Sequence, residues 1–306
     1  MEILTKQNLN VIENQTYNRA RDIDVSIMNA LLDNEYKDYV LDGLMLYVNK
    51  DGGFGNALHI DNYNPNSSVY QTYEAFRILD LVGLDSSCEN PLLEEIVNKA
   101  CNFLFNRCQL KDGAWNPNEK TNNNFAHSEE FTYYESFISS WGYHPTAALV
   151  GFTLTLVKPN KAYYKKALKM LDIVFKYFET KESLSIYDYI SFNSLLGSLK
   201  KANLFVDKQE IIEDKLLAQA PRLLENKDFS ISAMMSNCKL DEKLNIRLNE
   251  ELDEIILSRA SHGLWEHKKG WGTDKYAEAD SAMLKWLGAE SVYNLYLLNK
   301  YNRIEK

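Results

Sequence analysis

Two kinds of apolar segment alternate along this chain, and that alternation constrains its fold more than any other feature. In residues 91–109, Leu93, Ile96, Val97, Ala100, Leu104 and Cys108 fall on one helical stripe. Residues 161–180 repeat the pattern through Ala167, Leu168, Leu171, Val174, Phe175 and Phe178, with lysines behind. A third one-sided helix runs from a cap at Asp207 and is expected to kink late, at Pro221. A fourth covers residues 241–259. Between them, residues 68–84, 147–157 and 186–204 are apolar on more than one face, as a helix enclosed by protein must be. An outer layer of amphipathic helices around an inner layer of enclosed ones satisfies this order. An open stack of helix pairs is the competing layout. No segment alternates with the strand period for long enough to build a sheet, so the expected class is all-α, in one domain over residues 1–306.

Composition agrees. The chain has 13 glycines and 6 prolines in 306 residues, against about 21 and about 15 at average usage, which disfavours turn-rich all-β folds and disordered linkers. A net charge of −9 argues against nucleic acid or an anionic membrane as the main partner. The first residues hold no signal-peptide core, and no apolar run reaches the roughly 20 residues of a membrane span. The four cysteines form no C-x-x-C pair. Together these features lead to the expectation of a cytoplasmic protein with reduced thiols.

Three loops repeat a helix end, a glycine and an aromatic: Asp51-Gly52-Gly53-Phe54-Gly55, Asp112-Gly113-Ala114-Trp115, and Gly263-Leu264-Trp265 running on to Gly270-Trp271-Gly272. Glycine ends helices at positive φ without strain, and the aromatic can pack between the helices it joins. With alternating outer and inner helices, all three loops share one rim, beside the inner helices' N-termini, where unpaired N–H groups favour negative charge. The most concentrated polar stretch, from Asn56 to Gln71, lies there too. His144 precedes Pro145 at the start of another enclosed helix, where a histidine can act as acid, base or anion contact.

These loops resemble the repeats of the α/α-toroid superfamily of squalene and other class II terpenoid cyclases and protein prenyltransferase β subunits. Asp51 to Leu58, Asp61, Asn64-Pro65-Asn66-Ser67-Ser68 and Trp141 to Ala147 are most similar to a set of largely uncharacterised bacterial single-domain members. The resemblance implies a toroid or barrel of inner and outer helices, (α/α)5–6, around a central aromatic-lined cavity. It also implies a terpenoid-cyclase or prenyltransferase-like enzyme acting on an isoprenoid or other apolar small molecule. The prenyltransferase zinc element Asp-x-Cys is absent from the chain, and the cyclase Asp-x-Asp-Asp acid is approached only by Asp22-Ile23-Asp24-Val25. The alternatives are a glycan-active hydrolase or lyase and a non-catalytic ligand-binding protein, because Tyr, Trp and Phe faces stack on sugars as well as on cations. The expected catalytic residues are Asp61, His144 and Asp51. The expected substrate contacts are Asn64, Asn66, Gln71, Asp112, Trp115, Trp265 and Trp271. No metal or cofactor is expected.

Overall fold

The structure is a computed structural model that describes residues 1–135 and 141–305. It is mostly helical. Among the described residues the helices are α1 (Lys6–Arg19), α2 (Asp22–Leu32), α3 (Lys37–Met45), α4 (Val69–Leu81), α5 (Pro91–Asn106) and α6 (Thr146–Leu156). They continue as α7 (Ala162–Thr180), α8 (Ile186–Lys201), α9 (Val206–Leu223), α10 (Ile231–Met234), α11 (Glu242–Leu257) and α12 (Glu278–Lys300).

Local chemistry sets most of the helix starts. Ser68 accepts from the Gln71 N–H at the start of α4, and Asn90 accepts from Leu92 and Leu93, with Pro91 in the first turn of α5. Ser185 and Asp188 form a reciprocal capping box on α8, and Asp241 caps α11. The start of α9 differs from expectation: Asp207 lies inside the first turn, and the cap position is Phe205, at φ 51°. Pro221 does sit within the last turn of that helix.

The alternation in the sequence is an alternation of burial. Every residue of α6 is buried, whereas α5, α7 and α11 each bury one stripe. Helix α6 packs against α4, α7 and α8, while α12 packs against both α1 and α2. The chain ends meet: Leu4 pairs with Ile304 in a parallel bridge, with N–H···O bonds of 2.8 and 2.9 Å.

One loop departs from its expected form. Leu110–Lys111 (β1) and Ala114–Trp115 (β2) make a minimal antiparallel hairpin. Its two turn residues, Asp112 and Gly113, have φ 52° and 82°. Positive φ at both central positions is what a type I′ two-residue hairpin turn requires, and Asp-Gly is a favoured pair for it. The Asp51 loop also needs one left-handed residue, but it is Gly52, at φ 94°, and not Gly53. Gly53 is required for space, because an added Cβ would lie 2.6 Å from the Ser67 Cβ and 2.8 Å from the Phe103 ring.

Candidate functional site

Three loops are laced together at one end of the helices. Within the first, Asp51 accepts from the Gly53 N–H at 3.1 Å and from the Ser67 hydroxyl at 2.6 Å. Asn64 accepts from the backbone and side-chain amides of Asn66 and donates to Thr121 and Asn122, both at 2.8 Å. Gln71 donates to the Asn64 carbonyl, and its Oε1 is buried without a partner among the described residues. Backbone bonds continue the lacing, from Tyr63 to Ala126, from Ser128 to Asp61 and from Glu129 to Trp271. Asp51, Asp61, Asn64, Asn66, Gln71 and Trp271 are therefore brought together.

The remaining predicted site residues are not part of that group. Asp112 is exposed on the hairpin turn. Trp115 is 1% exposed and packs edge-on against Phe105 at 5.1 Å. Trp265 is buried, and its indole N–H goes to the Ile255 carbonyl. Both indoles belong to the hydrophobic core. His144 is 1% exposed and lies parallel to Trp141 and Tyr187, with Tyr70 and Tyr73 edge-on. Burial pushes its pKa down to about 3, so the ring is neutral, and its Nδ1 has no partner among the described residues.

Beside this end lies a cavity of about 1030 Å³. Its walls come from Arg21 at the α2 cap, residues 58–60, helices α4, α6, α8, α10, α11 and α12, His267 and the segments flanking α10. Asp51, Asp61, His144 and the four tryptophans of the repeated loops and the Trp141 segment are not among its lining residues, whereas His59, Trp286 and His267 are.

The lining is aromatic and charged in comparable measure. Tyr70, Tyr73, Phe152, Phe229, Trp286, Tyr293 and Tyr296 form the aromatic part. Burial raises the pKa of each of the four tyrosines, so these hydroxyls stay protonated. Six cationic side chains line the cavity beside six carboxylates: Arg21, Arg77, Lys201, Lys227, Arg247 and Lys300 against Glu74, Asp80, Glu250, Glu251, Glu254 and Glu290. Arg77 grips Glu74 with two hydrogen bonds, of 2.6 and 3.0 Å, and lies over the Tyr293 ring at 5.5 Å. Burial alone would favour protonated Glu74, but Arg77 outweighs it and holds the carboxyl below its ordinary range. Arg21 is bound by Asp24 at 2.8 Å, Lys201 lies 3.8 Å from Asp80 and Arg247 lies 3.4 Å from Glu250. Glu251 is occupied by the hydroxyls of Ser230 and Ser232 and by two backbone N–H groups.

One corner gathers the expected and unexpected residues. A single oxygen of Asp61, Oδ1, accepts the indole N–H groups of Trp271 and Trp286, each at 2.7 Å. The His267 ring stacks on Trp286 with centroids 4.2 Å apart, and its Nδ1 lies 3.1 Å from Glu290 Oε2. His59 meets Trp286 at 5.8 Å and packs against Tyr70 and Phe131. Asp61 is thus the anchor of the corner, and Trp286 and the two histidines are its face toward the cavity.

Sequence reasoning overlooked Arg21, Glu74, Arg77, Trp286, His267, Glu290 and Tyr293 as site residues. A signal for part of this set was present. In α4, Tyr70, Tyr73, Glu74, Arg77 and Asp80 recur at helical spacing, as do Trp286, Glu290, Tyr293 and Tyr296 in α12. A polar stripe on an otherwise enclosed helix must face a cavity or a partner, because buried polar groups need one.

Among the described residues, no cluster of three or more His, Cys, Asp or Glu side chains is arranged to hold a metal ion, and no helix is long and apolar enough to cross a membrane. No protein-family model matches the chain, and a comparison with curated proteins finds no significant similarity.

Proposed function

We propose that the chain is an α/α toroid whose central cavity takes a neutral, hydroxyl-rich small molecule of the glycan class. The toroid reading is supported by the division of labour among the helices. Helices α4, α6, α8, α10 and α12, with the cap of α2, line the cavity, and so does α11, whereas α1, α3, α5, α7 and α9 do not. The meeting of the chain ends is what closure of a ring asks for.

The substrate class rests on one observation, the internal balance of charge in the cavity. An isoprenyl diphosphate needs a surplus of free cations to meet its phosphates and a dry apolar wall for its tail. Here the cations equal the carboxylates in number, and four of them are already in ion pairs. A neutral polyol suits such a wall: paired ions still offer donors and acceptors to hydroxyl groups, and tyrosine and tryptophan faces suit sugar rings. Hydrolysis by two free carboxylates is not what this wall favours, since Glu74, Asp80 and Glu250 each have an ionic partner and Glu251 is taken up by hydrogen bonds from Ser230, Ile231 and Ser232. The free, unpaired thiols, with Cys101 pushed up to about 12 by burial, fit a reducing cytoplasmic setting.

Thermal-shift measurements with neutral oligosaccharides and with isoprenyl diphosphates test the reading. Stabilisation by the sugars alone is the expected result. Stabilisation by the diphosphates alone would return the isoprenoid reading to first place.

A further inference from the structure

The corner around Trp286 holds two histidines whose hydrogen bonds set them in opposite states. Glu290 lies on Nδ1 of His267, so in the neutral ring that nitrogen carries the proton and Nε2 is the lone pair. His59 accepts the Asp61 backbone N–H at Nδ1, at 3.4 Å, so in the neutral ring the proton sits on Nε2. Neither Nε2 has a hydrogen-bond partner among the described residues, both side chains line the cavity, and both rings contact the same indole. In their neutral forms the two rings therefore present one nitrogen base and one N–H donor around Trp286, which Asp61 holds in place.

We propose that His267 and His59 form a proton-transfer pair that enolises a neutral sugar in its open-chain carbonyl form. This rests on the neutral-polyol reading above and assigns its chemistry. His267 Nε2 takes the proton from the carbon next to the carbonyl. The electron pair of that C–H bond becomes the new carbon–carbon double bond, and the carbonyl electrons move onto oxygen. The His59 N–H donates a hydrogen bond to that oxygen as its negative charge grows. Return of the proton from the His267 imidazolium regenerates a carbonyl sugar, so no oxidant, reductant or second substrate is consumed. Glu290 is a positioning residue, stabilising the imidazolium and fixing the tautomer that reacts.

The test uses the full-length protein in D2O with glucose, mannose, galactose, fructose, maltose and cellobiose. Proton NMR follows loss of the signal from the carbon next to the carbonyl, and thermal shift follows binding in parallel. Enzyme-dependent exchange is expected with at least one of these sugars. His267→Gln should slow it by about 100-fold or more while the sugar still raises the melting temperature. His59→Gln should slow it by a similar factor. Binding without exchange, or exchange unchanged in His267→Gln, overturns the pair but leaves the neutral-polyol reading intact. Binding of none of the sugars overturns the reading and the pair with it. Long-range nitrogen-15 NMR adds a readout that needs no substrate: it should show opposite neutral tautomers at His59 and His267, and identical tautomers would contradict the proposal.

Discussion

Two aromatic clusters lie on either side of Tyr70, and they use the same residue types differently. In one, His144 is buried beside the stacked pair Trp141 and Tyr187, with no carboxylate among its hydrogen-bond partners in the described residues, and burial holds it neutral. In the other, His59 and His267 are half-buried around Trp286, next to Asp61 and Glu290. A histidine enclosed by rings contributes packing and a pH-dependent cost. Beside a carboxylate at a cavity wall, it has a defined tautomer and room for a ligand. Access and a partnering carboxylate separate the two clusters, and residue type does not.

Removing the anchor of the open corner should have the largest effect. Asp61→Ala leaves two largely buried indole N–H groups without their charged acceptor, so it should destabilise the fold by about 3 kcal/mol. It should also weaken sugar binding by more than about tenfold, because Trp286 and the stacked His267 lose their support; urea unfolding and titration calorimetry check both effects. Asp61→Asn keeps an acceptor oxygen and should cost about 1 kcal/mol. Equal costs for the two variants would show that charge, and not the shared acceptor, holds the indoles.

The sealed cluster should respond to pH. The folded-state pKa of His144 is about 3, against 6.5 for a free ring. Below 6.5 the unfolded chain therefore binds a proton that the folded chain refuses, and stability falls as pH drops toward 3. At up to about 1.4 kcal/mol per pH unit, about 2 kcal/mol should be lost between about pH 6.5 and about pH 5. His144→Gln should flatten that part of the curve. An unchanged slope would mean that His144 is not the group responsible.

Smaller effects belong to the Asp51 loop, which supports the corner from outside the cavity. Gly53→Val should cost about 1–3 kcal/mol by overpacking against Ser67 and Phe103. Asp51→Asn should cost about 1 kcal/mol, through weaker bonds to Gly53 and Ser67, and leave sugar affinity unchanged. A loss of affinity in Asp51→Asn would erase the distinction between loop brace and cavity wall.

What was legible in the sequence follows from the range of each interaction. Helix periodicity and capping are local, so α5, α6, α7, α8 and α11 could be read within a few residues of their bounds. Asp112-Gly113 was local as well, but an Asp-Gly pair serves a helix end or a hairpin turn, and only the neighbouring pairing of Leu110 with Trp115 decides between them. The corner was not legible. Asp61 reaches Trp271 and Trp286 across more than 200 residues, and no spacing rule links them. Trp115 and Trp265 looked like ligand contacts for the same reason. An aromatic after a glycine packs inward or faces a cavity according to what lies beneath it, and here the core does.

The salt dependence of ligand binding tests the central claim of a charge-balanced cavity most directly. Affinity for a neutral oligosaccharide, measured by calorimetry between about 0.05 and about 0.5 M sodium chloride, should stay constant within about twofold, because the ligand carries no charge to screen. Tight binding of an isoprenyl diphosphate that weakens steeply over the same range, with no sugar bound at any salt, would contradict the account.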